Sequence, residues 1–129
     1  MNGNKGMRKV LIYLIAAGFG SVFCGGMENV LGSARNLYQQ TNYKQSLALL
    51  EQIASPGAEE YCLIGRNYLM LGNYKKATDT IQRAVDMEPA NSDYYLWLGR
   101  AWGRRAETSS LFSAPASASK ARQAFERAV

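Results

Sequence analysis

The sequence predicts an all-α fold of about three stacked helical hairpins, and three observations carry that prediction. The first is an internal repeat. Tyr61-x-x-Ile64-Gly65-x-x-Tyr68 recurs 34 residues later as Tyr95-x-x-Leu98-Gly99-x-x-Trp102, and periods of roughly 20–50 residues mark stacked supersecondary units. The second is the spacing inside each unit, where apolar residues at i, i+3, i+4 and i+7 make a helical stripe. The small residue within the stripe lets two helices approach closely. The third is punctuation: Leu71-Gly72-Asn73-Tyr74, Ser55-Pro56-Gly57 and Pro89-Ala90-Asn91-Ser92 end one helix and start the next.

From the N-terminus, the first element reads as an address. Lys5, Arg8 and Lys9 precede a largely apolar run of 14 residues, Val10 to Phe23, which ends among small residues. This is the layout of a secretory signal peptide, and the run falls short of the roughly 20 apolar residues that a spanning helix needs. A cleaved signal is the preferred reading of residues 1–26. An uncleaved membrane anchor is one alternative; a lipoprotein cysteine at Cys24 is another, although Phe23 stands where that class has a small residue. Each reading makes the rest of the chain exported, to the periplasm or the membrane of a bacterium.

Residues 27–129 form the repeat domain, in copies over about 27–57, 58–91 and 92–129. The first copy aligns with the second at an offset of 31: Tyr43, Ser46, Leu50 and Ile53 match Tyr74, Ala77, Ile81 and Ala84, and Val30, Ala34 and Leu37 match Tyr61, Gly65 and Tyr68. In the third copy Ala77-x-x-x-Ile81-x-x-Ala84 recurs as Ala121-x-x-x-Phe125-x-x-Ala128, at an offset of 44, so ten residues are inserted. The insertion, near 107–119, is rich in Ser and Ala and carries Leu111, Phe112 and Pro115. It predicts a surface loop whose two apolar residues tuck into the last hairpin. The closing helix is then expected from Lys120 onward. No Pro, Gly or polar capping helix follows it, so its outer face is expected either to continue into a longer array or to support self-association.

The middle copy resembles the tetratricopeptide repeat. That family's pattern, W-x-x-L-G-x-x-Y…A-x-x-x-F…P, is matched by Tyr61, Ile64, Gly65, Tyr68, Ala77, Ile81, Ala84 and Pro89. The third copy departs by its insertion, and the first by its brevity and by Ser33 and Ser46. Covering roughly residues 28–129, the resemblance implies a right-handed superhelical solenoid whose first helices line a concave groove.

Equivalent positions in such a groove stack about 10 Å apart, a helix-packing distance. One column consists of Arg35 after Ala34, Arg66 after Gly65 and Arg100 after Gly99. None of the three has an acidic residue three or four positions away on its own helix, so intrahelical ion pairs do not account for them. Guanidinium forks in a row suit the carboxylates of an acidic or extended peptide. The alternatives are plain solvation, or pairing with Glu59 or Asp93 of a neighbouring helix. Arg104, at the root of the insertion, and Trp97, an aromatic that the repeat pattern does not claim, complete the candidate binding set; Tyr38 and Tyr94 are also unclaimed. This column is not the Lys/Asn clamp of chaperone-binding family members, so chaperone-tail binding is not implied.

Composition closes off most chemistry. There is no histidine, which removes Ser-His-Asp and Cys-His pairs and imidazole metal ligands. Cys24 and Cys62 are too far apart for a C-x-x-C site, and Cys62 reads as a small buried apolar residue. Glu59 and Glu60 sit at a helix start, where the dipole favours them, and no glycine-rich phosphate loop is present. No catalysis, cofactor or metal is expected. Nucleic acid is not an expected partner either: three of the fifteen basic residues precede Glu28, leaving twelve basic against ten acidic beyond Gly26. The expectation is a non-catalytic protein–protein interaction scaffold that holds a partner protein or acidic peptide in its groove. The alternative is an accessory or targeting module of a larger envelope assembly or enzyme, self-associating through its C-terminal face.

Overall fold

The computed structural model describes residues 29–129, and they are helical throughout with no strand. The expected N-terminal address, residues 1–26, lies outside the described residues. Helix α1 covers 29–39, followed by α2 (Tyr43–Leu50), α3 (Ala58–Met70), α4 (Tyr74–Met87), α5 (Ser92–Thr108) and α6 (Ala114–Ala128). Packing is between neighbours in the chain: α2 on α3, α3 on α4, α4 on α5 and α5 on α6, with α5 also reaching α3.

The small residue of each unit sets how closely its two helices cross. A Cβ on Gly65 would lie 3.1 Å from the Ile81 amide nitrogen and 3.2 Å from the Ala77 carbonyl oxygen, and would overlap Ile81 Cγ1. A Cβ on Gly99 would lie 2.7 Å from the Phe125 ring. These are the residues that the offsets of 34 and 44 make equivalent, so both crossings use the same pair of positions. In the first pair Ala34, Ser46 and Leu50 occupy the matching places, all fully buried. Ser46 Oγ donates to the Ala34 carbonyl at 2.8 Å and accepts from Asn67 Nδ2 at 2.9 Å. The serine that departs from the repeat pattern thus links α1 and α2 to α3, and the same Nδ2 also donates to the Leu63 carbonyl at 3.0 Å.

The first two breaks between paired helices share one geometry. Gly72 takes φ 82°, with the Gly72 amide donating to Leu69 O at 3.2 Å and the Asn73 amide to Tyr68 O at 2.9 Å. This is the left-handed stop that glycine favours. Asn73 then caps α4 by accepting from the Lys76 amide at 3.2 Å. At the matching position of the first pair Thr41 takes φ 61°, with the Asn42 amide donating to Leu37 O at 2.8 Å. A side chain with Cβ is strained there by about 1–2 kcal/mol, whereas glycine loses up to about 1 kcal/mol more chain entropy. Thr41→Gly is therefore expected to raise stability by about 0.5–1 kcal/mol, read as a higher urea midpoint. A lowered midpoint would mean that Thr41 makes contacts worth more than its strain.

The ten-residue insertion does not form the loop expected over 107–119. Beyond the Gly99–Phe125 crossing α5 runs on to Thr108, four residues further than α3 runs past Gly65. Helix α6 starts at Ala114, four residues earlier relative to Phe125 than α4 starts relative to Ile81. The turn, 109–113, is two residues longer than 71–73. Each helix gains about one turn, roughly 6 Å, beyond the crossing, so the packed register is untouched. Alanine at 114, 116 and 118 favours helix, and Pro115 sits in the first turn, where its missing N–H costs nothing. The closing helix therefore begins at Ala114 rather than Lys120. Leu111 and Phe112 do not tuck into the hairpin: they are 92% and 97% exposed.

Candidate functional site

Helices α1, α3 and α5 carry Arg35, Arg66 and Arg100 directly after their small crossing residues, and this places the three on one side of the array. Arg35 is ion-paired with Glu59 of α3, one of the alternatives left open by the sequence. Arg66 has a different environment. Its guanidinium carbon lies 4.5 Å from the centre of the Tyr38 ring and 4.1 Å from that of the Trp97 ring, and its Nε is buried without an acceptor. The Arg100 guanidinium also lies over Trp97, at 4.6 Å. Among the described residues neither Arg66 nor Arg100 has a carboxylate partner, and Asp93 pairs with neither. Arg104 bonds Glu107 at 2.6 Å and the Tyr74 hydroxyl at 3.4 Å.

Two adjoining clefts flank this stack. One, of about 520 Å³, is lined by Arg35, Glu59, Cys62, Arg66 and Asp93; the other, of about 750 Å³, by Leu69, Met70, Tyr74, Arg100 and Arg104. Tyr38 and Trp97 line both. The five residues singled out from the sequence, Arg35, Arg66, Trp97, Arg100 and Arg104, thus line two neighbouring clefts that share Tyr38 and Trp97. Charge differs along them. At one end Arg35 is neutralised by Glu59, while around Trp97 two guanidinium groups have only aromatic company. Cation–ring contacts of this kind contribute roughly 0.5–2 kcal/mol, more where desolvated, and they hold each guanidinium plane in place before any ligand arrives.

No family model, curated protein or solved structure matches this chain. The site must therefore be read from its own chemistry. Cys62 faces the first cleft, but burial pushes its thiol up to about 11, with Arg66 opposing and Asp93 assisting that shift. It is protonated at neutral pH and a poor nucleophile. Among the described residues no three Cys, Asp or Glu side chains are grouped so as to hold a metal ion. No helix among them is long and apolar enough to cross a membrane.

Two features of the site were not read from the sequence. Tyr94, counted among groove or surface aromatics, lines the first cleft but is largely buried, and that burial, aided by Glu88, pushes its hydroxyl up to about 12. The stack of Tyr38, Arg66 and Trp97 joins three helices; the sequence offered all three as groove candidates, but not their contact with one another. The same habit extends over the array. Among the described residues, cations lie over Tyr38, Tyr61, Tyr68, Tyr74, Tyr95, Trp97 and Trp102 in nine contacts.

Proposed function

We propose that this chain is an exported bacterial tetratricopeptide-repeat protein, a non-catalytic scaffold that holds an extended acidic segment of a partner protein in the groove of α1, α3 and α5. The observation that carries the reading is the pair of guanidinium groups, Arg66 and Arg100, fixed on Trp97 without carboxylate partners among the described residues. Guanidinium forks so held lose little freedom when a carboxylate docks, so the ordering cost falls mainly on the incoming segment. The apolar wall of the larger cleft, Leu69, Met70 and Tyr74, gives side chains beside the acid a place to rest. Support for the family reading comes from the repeated helix pairs and the crossings at Gly65 and Gly99.

A Glu-rich peptide and the proteins of the envelope fraction serve as probes. Arg66→Gln with Arg100→Gln is expected to weaken peptide binding at least about tenfold, the loss of two charge-assisted contacts, and to abolish capture of the same envelope protein, with helicity unchanged. Arg35→Gln is expected to change binding much less, because Glu59 already claims that cation. Equal binding by wild type and the double variant would refute the groove reading.

A further inference from the structure

We infer that the outer face of the α5–α6 hairpin is a docking surface for a second copy of this chain, with two α6 helices packed antiparallel about a twofold axis. The inference is independent of the groove. It rests first on a comparison of equivalent positions. In the α3–α4 hairpin Leu69 is 9%, Ile81 0% and Val85 4% exposed, because α5 packs over that face. Their counterparts in α5–α6 are Gly103, Phe125 and Val129. Phe125 is 39% exposed, and a Cβ on Gly103 would meet no atom within 4 Å. The face that receives a helix in the middle of the array is thus present again at α5–α6, and no described residue covers it.

The surface is an apolar hollow of about 610 Å³, floored by Gly103, Ala106, Ala118 and Ala121 beside Phe125. Small residues of this kind admit a close helix. Its rim says which helix. Arg122 and Glu126 line the same hollow and pair with each other along α6 at 3.5 Å. In an antiparallel pair of α6 helices, Arg122 of one protomer meets Glu126 of its partner, twice, by symmetry. Ala118 then meets the partner's Val129, because both pairs are centred near Ala124. Charge and shape are therefore self-complementary about one axis. The apolar strip from Ala118 to Val129 is about 17 Å long, at the small end for stable interfaces, so association is expected in the micromolar range.

Sedimentation velocity on the full chain tests this with four samples: wild type, Arg122→Glu, Glu126→Arg, and the two variants mixed in equal amounts. Wild type is expected to dimerise. Each single variant sets like charges opposite each other and is expected to raise the dissociation constant about tenfold or more. The mixture is expected to recover the dimer, because each variant presents the complement of the other. Both positions are exposed, so circular dichroism should show all samples equally helical. A wild-type monomer across the range would overturn the inference and leave the face to another occupant, such as the chain's own run at 10–23. Association that neither variant weakens would overturn it as well, by locating the contact elsewhere.

Discussion

Gly65→Ala is expected to destabilise the chain by about 3 kcal/mol, the upper range for overpacking a tight core, whereas Gly99→Ala is expected to be within about 1 kcal/mol of neutral. The two glycines hold equivalent places, so sequence alone predicts equal effects. The difference lies in what each new methyl would strike. At Gly65 it meets the backbone of α4, at Ile81 N and Ala77 O, as well as the fully buried Ile81 side chain. Neither helix can yield without opening the core between them. At Gly99 the three nearest atoms all belong to the ring of Phe125, which is 39% exposed and can swing toward solvent. The gain in helix propensity from Gly to Ala, up to about 1 kcal/mol, then offsets most of the shift. Urea unfolding followed by far-ultraviolet circular dichroism measures both. Equal losses would show that Phe125 is as firmly held as Ile81.

Ile81→Ala is expected to cost about 3–4 kcal/mol, within the range for truncating a fully buried aliphatic side chain. Ile81 has no exposed surface and belongs to the main core, where Ala77, Ala84, Tyr95 and Leu98 leave little freedom to collapse around a void. The two substitutions should also be coupled. Removing the Ile81 side chain removes Cγ1, the atom that a methyl at position 65 would overlap, so Gly65→Ala should cost about 1–2 kcal/mol less in the Ile81→Ala background. The backbone contacts at Ile81 N and Ala77 O remain, so the rescue should be partial. Strictly additive losses would mean that the methyl is resisted by backbone alone.

Much of the helical layout is legible in the sequence, and the reason is local. Gly72 announces its left-handed turn because few other residues take that conformation cheaply, and Asn73 and Asn91 announce helix starts because their side chains accept from the amides that follow. Thr41 was not legible as the same kind of turn. Its side chain disfavours φ 61°, and only the surrounding hairpin holds it there. The insertion was misread for a related reason. Ser- and Pro-containing sequence favours a loop when read locally, but Ala114, Ala116 and Ala118 continue a helix once α5 offers a surface for it to run along, with Ser117 and Ala121 buried in that contact.

The groove residues divide in the same way. Their registration was visible, since Arg35, Arg66 and Arg100 each follow the small residue of a crossing and such positions recur on one side of successive helices. What each arginine does was not visible. Glu59 and Tyr38 belong to other helices than the arginines they engage, and the distance between helices is set by the whole core. By itself the sequence determined where helices start and stop and which faces are apolar, because caps, turns and stripes act over a few residues. Only the tertiary structure decided that Arg35 is neutralised, that Arg66 lies between two rings, and that ten inserted residues lengthen a hairpin. Those outcomes depend on contacts between residues far apart in the chain, whose energies have no local signature.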